Sequence, residues 1–244
     1  MKKFSGFFVD FVQTLWYICG VIEKVNMTTD HKLTMEINKI FIQVGAGAGD
    51  LDSRAGFRDG FSEMVKSYQI KSSDRIILVE PNPKNIFALR KCWGDYSVAE
   101  IYEVGIVPKK ATGHSLMFYY SELDAPHYQV GSFNPTHVIK HYPNQKIQDL
   151  TQIVVSSIDL ESFLTNTVGC NQIEILCLDI EGLDSEVILD TDFSLFNIRF
   201  LSIEHLHLGI QSQAVVCHLE QCGFSKSGNG VDHNGFDWMF IKVN

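Results

Sequence analysis

None of the six cysteines (Cys19, Cys92, Cys170, Cys177, Cys217, Cys222) belongs to a C-x-x-C pair or to a His/Cys spacing of a structural zinc site. A metal-stapled or disulfide-framed fold is thereby excluded as the organising device, and reduced thiols in a cytoplasmic setting are the expectation. Basic charge is also scarce. Twenty Lys and Arg against 29 Asp and Glu leave a formal charge of −9, a field that repels a nucleic-acid backbone, so no nucleic-acid partner is expected. Low-complexity tracts and internal repeats are missing as well, which excludes solenoids and disordered tails.

What is present is a globular mixture, 45% apolar and 20% charged over 244 residues. That length buries one large core around a single sheet. The start is read separately. Met1-Lys2-Lys3 precedes an apolar stretch interrupted by Asp10 and Gln13, in which Phe4, Phe7, Phe8, Phe11, Leu15 and Trp16 recur at helical spacing. No small-residue cleavage pattern follows it. The reading is an amphipathic helix over about Phe4 to Ile22, in an appendage of residues 1–34, docked on its own domain rather than spanning a membrane; surface association with a membrane is the weaker alternative.

Residues 35–244 read as the main domain. Ile37 to Val44 reads as a buried strand that breaks into Gly45-Ala46-Gly47-Ala48-Gly49-Asp50, the opening of a nucleotide-binding unit. A helix over about Arg58 to Tyr68 and a strand at Ile76 to Val79 complete one strand-helix-strand unit. A helix from Pro83 to Cys92 and a third strand near Glu100 to Ile106 follow. Between about 107 and 171 the alternation loosens around two shorter strands, Ser115 to Tyr120 and Gln152 to Ser156, and this stretch is read as an insertion lining a substrate pocket. Regularity returns with strands at Ile173 to Asp179 and Phe200 to His205, helices from about Asp184 and over Ala214 to Gln221, and a terminal β pair, Gly223-Phe224 with Trp238 to Val243. The sum is an α/β fold, a doubly wound and mainly parallel seven-stranded sheet with helices on both faces.

In such a sheet the ligand lies beyond the carboxyl ends of the strands, which here carry four polar signals. The glycine turn offers backbone amides and close approach through Gly45, Ala46, Gly47 and Gly49. Glu80, with Pro81 and Asn82, closes the second strand where a carboxylate can accept from ribose hydroxyls; Gly105 and Ile106 close the third. Asp179-Ile180-Glu181-Gly182 closes the fourth strand, and Glu204-His205-Leu206-His207 the fifth. Residues at i and i+2 of an extended segment share a face, so His205 and His207 are expected to point together, with His205 and Asp179 as proton acceptors. Glu181, Glu204 and His207, with Ser132, Asn134 and His137 of the insertion, are the expected acceptor contacts. An H-x-H pair beside Asp179 is poor ground for a metal, and none is assigned. A nicotinamide cofactor fits less well, because its ribose acid falls about 20 positions beyond the glycines, whereas Glu80 lies 31 beyond Gly49.

Together these motifs resemble the FkbM family of methyltransferases. The resemblance rests on Ile175-Leu176-Cys177-Leu178-Asp179-Ile180-Glu181-Gly182-Leu183-Asp184, on Val44 to Gly49, on Val79-Glu80-Pro81-Asn82-Pro83, on Ile203-Glu204-His205 and on Phe236 to Phe240, and covers roughly Phe41 to Lys242. It implies a class I, Rossmann-like methyltransferase sheet, S-adenosylmethionine as donor, and methylation of a hydroxyl on a small molecule or sugar. The alternatives are an NAD-type oxidoreductase and a cofactor-binding interaction module without catalysis. Three positions depart from the family pattern: Gln43 replaces an acid, Gly47 an asparagine and Cys177 a lysine.

Overall fold

A computed structural model describes residues 38–50, 59–232 and 235–243. The chain divides into two units, Met1–Ile37 and Asn38–Asn244, and every described residue belongs to the second. The expected helix at Phe4 to Ile22 and the appendage of residues 1–34 lie outside the described residues.

The chain order is β1 (Ile40–Val44), α1 (Gly60–Ser67), β2 (Arg75–Val79), α2 (Pro83–Cys92), β3 (Ala99–Tyr102), β4 (Gly105–Val107), β5 (Ser115–Tyr120), β6 (Gly131–Ser132) and α3 (Pro135–His141). It continues with β7 (Thr151–Asp159), α4 (Leu160–Thr167), β8 (Ile173–Leu178), α5 (Asp184–Asp190), β9 (Ile198–Glu204), α6 (Ser212–Gln221), β10 (Phe224–Asn229) and β11 (Asp237–Lys242). Seven strands form one sheet in the order β10-β11-β9-β8-β1-β2-β3. All its pairings are parallel except those of β11, which runs antiparallel to both β9 and β10.

Burial on both faces explains the strand sequences. All six residues of β8 are buried, as a near-continuous apolar run requires when helices cover both sides. Alternation sorts the rest: in β2, Ile77 and Val79 join a core with Leu176, Val187 and Leu201, while Ile76 and Leu78 face a second core with Phe61 and Trp93. The strand order reverses direction between β1 and β8, so the crevice of the sheet opens beyond Val44 and Leu178, which pair in register. Among the described residues no helix is long and apolar enough to cross a membrane.

The third strand differs from the expectation of one run from Glu100 to Ile106. β3 stops at Tyr102, and β4 leaves the main sheet to pair with β7 in a second sheet of order β4-β7-β5-β6. Gly105 makes the departure possible, because a Cβ there would stand 2.2 Å from the ring of Phe133, which packs over the bend. β5 has the expected bounds, and β7 extends the expected Gln152–Ser156 strand at both ends. Within the stretch expected to be irregular, α4 contributes Leu160, Phe163 and Leu164 to the main core.

Candidate active site

The turn after β1 is built by its backbone. Gly45, Gly47 and Gly49 all have positive φ (80°, 54° and 67°), where residues with a Cβ are strained. The amides of Gly45 and Ala46 both donate to the carbonyl of Val79, tying the turn to the end of β2. A Cβ at Gly45 would lie 1.7 Å from the carbonyl oxygen of Asp179, so the ends of β1 and β8 touch as backbone on backbone.

Glu80, expected after β2 as the carboxylate that meets ribose hydroxyls, is only 4% exposed. One carboxylate oxygen accepts from the amide of Gly47 at 2.8 Å, and the other from the amide of Asn82 at 2.8 Å and from Nδ2 of Asn85 at 3.3 Å. Burial pushes its carboxyl up to about 7 against those hydrogen bonds. Asn82 caps α2 through the amide of Lys84 and is followed by Pro83 at the first helical position. Its Nδ2, and Oδ1 of Asn85, are buried and have no hydrogen-bond partner. Because Glu80 holds a proton in the folded chain at pH values where the unfolded chain has lost it, its contribution is largest below about 4.5 and is lost as pH rises through about 7. Glu80→Gln removes that titration. The stability of the natural chain relative to this variant should therefore fall by about 3 kcal/mol between roughly pH 4 and pH 8, measured by urea unfolding. A constant difference would mean that Glu80 does not titrate as a buried group.

Two cavities meet over the turn. A narrow one runs beneath Glu80 between Val104, Ile106 and Phe118, and a wide one of about 610 Å³ extends over Ala46, Gly49, Phe61, Cys177 and His207. Gly45, Gly47, Asp179 and Glu181 line both. No Lys or Arg lines either cavity among the described residues.

The junction is crowded with carboxyl groups. Asp179 opens onto the cavities but is walled by protein, and burial followed by repulsion from Glu181 and Asp184 raises it well above the usual carboxylate range. Burial and the neighbouring Asp184 lift Glu181 to about 8, and burial with Asp179 lifts Glu204 to about 10. Oε2 of Glu204 is buried with no hydrogen-bond partner. Asp184 has local work, accepting from the amides of Ile180 at 2.8 Å and Gly182 at 3.2 Å. Those bonds fold the D-I-E-G segment into a tight hook, with Glu181 at φ 51°, a costly conformation for a residue with a Cβ. Gly182 is required there, because a Cβ would lie 2.5 Å from Nδ1 of His137.

His205 does not join this constellation. β9 ends at Glu204 and the chain turns, with the amide of Leu208 donating to the carbonyl of His205, so the alternation that would have put His205 and His207 on one face stops. The His205 ring stacks on Trp238 at 4.5 Å and lines neither cavity. Ser132 donates to the carbonyl of Glu181 at 2.7 Å, and Asn134 caps α3; neither lines a cavity. Gly105 packs under Phe133, while Ile106, Pro81 and Asn82 line the narrow cavity. Glu181, Glu204 and His207 line the wide one, and buried His137 shares a hydrogen bond with Glu181 at 2.8 Å.

Sequence reasoning missed Asn85, His141 and Asp59. Asn85 stands on the first turn of α2, where it folds back onto Glu80. His141 lies four residues after His137, a spacing that shares a helix face. Asp59 accepts from Nε2 of Gln43 at 2.9 Å, caps α1 and lines the wide cavity, so an acid stands beside the position where the family carries one in the strand.

A reversing parallel sheet, a glycine turn at its crevice, a buried acid after β2 and a terminal antiparallel strand define a class I, Rossmann-like methyltransferase. The profile of the methyltransferase FkbM domain matches residues 43–226, and the chain belongs to that family. Its methyl donor is S-adenosylmethionine. Among solved structures, a fibrillarin pre-rRNA processing protein of Methanococcus jannaschii is similar at 8% identity and a TM-score of 0.43, over 91% of this chain and 72% of that one. Aeropyrum pernix fibrillarin, crystallised with natively bound S-adenosylmethionine, matches at 9% identity and 0.42, over 94% and 73%. A precorrin-6y C5,15-methyltransferase of Geobacter metallireducens matches at 10% and 0.41, over 91% and 96%. No curated protein matches the sequence.

The residues present fit the donor. Gly47 has nothing within 4 Å of where its Cβ would stand, leaving space for a ligand against the turn. The partnerless Nδ2 of Asn82 and Oδ1 of Asn85 supply one donor and one acceptor at the narrow cavity, beside a buried carboxylate suited to ribose hydroxyls.

Proposed function

We propose that the chain methylates a hydroxyl oxygen on a small molecule or sugar. The observation that carries this reading is the wide cavity, whose polar wall is mostly carboxyl and imidazole groups, among them Asp179, Glu181, Glu204 and His207, with the amides of Gln43 and Gln129 and no Lys or Arg among the described lining residues. Such a wall offers hydrogen-bonding groups to hydroxyls and, among the described residues, no Lys or Arg to pair with phosphodiesters, which disfavours nucleic acid as acceptor. When bound, S-adenosylmethionine supplies an activated methyl group on a cationic sulfur.

The chain's own task is then alignment and proton handling. Gly47, Glu80, Asn82 and Asn85 hold the nucleoside end, and Asp179, lining both cavities, faces the reacting end. Its raised proton affinity suits it to take the hydroxyl proton at a carboxylate oxygen, while Glu181 and His207 orient the acceptor. Burial, with His137 and His141 nearby, lowers His207 to about 4, so at neutral pH it meets a hydroxyl as an uncharged ring. We assign the protein to the cytoplasm, on the five free cysteines among its described residues.

The test is turnover with labelled donor across a panel of polyhydroxylated acceptors, their amine counterparts and RNA. Methyl ethers are the expected products. Label appearing only on nitrogen, carbon or RNA would overturn the assignment.

A further inference from the structure

Three imidazoles and one carboxylate from three separate segments converge at the acceptor end of the wide cavity. His137 and His141 project from one face of α3, His207 comes from the turn after β9, and Glu181 from the strained hook after β8. The ring centroids of His137 and His207 lie 4.6 Å apart, those of His137 and His141 5.1 Å, and those of His141 and His207 5.6 Å. One potential ligand atom from each of the four residues lies within 4.8 Å of the other three. Aromatic packing alone brings rings together without requiring their nitrogens to meet each other and a carboxylate. Here the nitrogens meet, and no Lys or Arg lines the cavity beside them among the described residues.

We propose that His137, His141, His207 and Glu181 form a binding site for a divalent transition-metal ion of the zinc class. Three imidazoles with one carboxylate and no thiolate suit Zn²⁺, Co²⁺ or Fe²⁺, whereas Mg²⁺ and Ca²⁺ prefer an all-oxygen shell. In a tetrahedral shell, bonds of about 2.1 Å hold ligand atoms about 3.4 Å apart, so the His137–Glu181 pair at 2.8 Å has only to open by roughly half an ångström. The other two need side-chain closure of an ångström or so, within the rotamer freedom of exposed His141. His141, His207 and Glu181 line the wide cavity, which gives the ion an open side for an oxygen ligand. Two built features serve this convergence: Gly182 makes room for the His137 ring, and Ser132 holds the Glu181 carbonyl at 2.7 Å. A neighbouring trio, Asp179, Asp184 and Glu204, also brings three carboxylates together. Asp184 already holds two amides there, and the acids alone offer no imidazole. The proposal stands on this geometry and is independent of which acceptor is methylated.

The experiment is metal titration of the full-length chain after chelator treatment, without donor or acceptor. Co²⁺ should bind at one site with the visible absorption of imidazole-bound cobalt, and Zn²⁺ should displace it. His141→Ala and His207→Ala should each weaken cobalt binding by about 100-fold or more while leaving the metal-free circular dichroism and melting curve in place. His137→Gln serves as the variant at the buried position. Absence of a cobalt band in the natural chain would overturn the site. So would cobalt affinity unchanged in both folded alanine variants, or a preference for Mg²⁺ that survives them, which would move the ion to the carboxylate trio.

Discussion

Gly45→Ala should cost more than about 4 kcal/mol, enough to leave most of the chain insoluble or unfolded, as read by urea unfolding or soluble yield. A positive φ of 80° alone costs a residue with a Cβ about 1–3 kcal/mol. The larger contribution is the collision 1.7 Å from the carbonyl oxygen of Asp179. Neither partner can retreat, because both follow directly on adjacent central strands locked in register from Phe41 to Val44. Gly169→Ala is the comparison, with φ 61° and nothing within 4 Å, and it should cost only about 1–2 kcal/mol. Gly47→Ala separates folding from binding. Its Cβ would enter open space, so stability should fall as modestly as in Gly169→Ala while S-adenosylmethionine affinity drops about tenfold or more. Equal stabilities for Gly45→Ala and Gly169→Ala would refute the backbone contact.

The second large effect concerns Asp179→Asn, an isosteric change that removes one charge from a group pressed by Glu181, Asp184, Asp237 and Asp232. Relief of that repulsion should hold or raise the melting temperature of the donor-free chain near pH 8. Turnover on a hydroxyl acceptor should fall by about 10²–10⁴-fold, the range for loss of a positioned proton acceptor. Gain in stability with loss of rate is the signature of a residue kept for chemistry at the expense of the fold. His205→Ala is the contrasting variant, losing the Trp238 stack, about 0.5–1.5 kcal/mol, with turnover close to normal. Turnover of Asp179→Asn within threefold of the natural chain would remove the carboxylate from the reaction.

How far the sequence discloses these features depends on whether the signal is local. The Ile173–Leu178 strand and the Ser115–Tyr120 strand are readable because a run or alternation of apolar side chains is set by the faces they cover. The glycine turn and Glu80 are readable by position, at the ends of the first two strands. The burial of Glu80 is not, since it depends on the amide of Gly47, 33 residues earlier, and on Asn85 folding back. The exit of β4 is hidden for the same reason, the ring of Phe133 being 28 positions beyond Gly105. His205 and His207 show the hazard of extending a strand by two residues: alternation applies only while the chain is extended, and here it turns after Glu204. His137 and His141 share a helix face at a visible spacing, but their meeting with His207 is set by the order of the strands.

Cys177 stands in the central strand at the floor of the wide cavity, buried, with its thiol pushed well above the usual range by that burial. A thiol that does not ionise near neutral pH is a poor nucleophile, so maleimides and iodoacetamide should pass it by in the folded chain. Cys170 and Cys217, both exposed, take up label first. The delay before Cys177 follows them is a clock for the opening of the packing around it, whether at the cavity floor or in the sheet. The native chain thus carries its own chemical stopwatch for that opening, with no engineered probe.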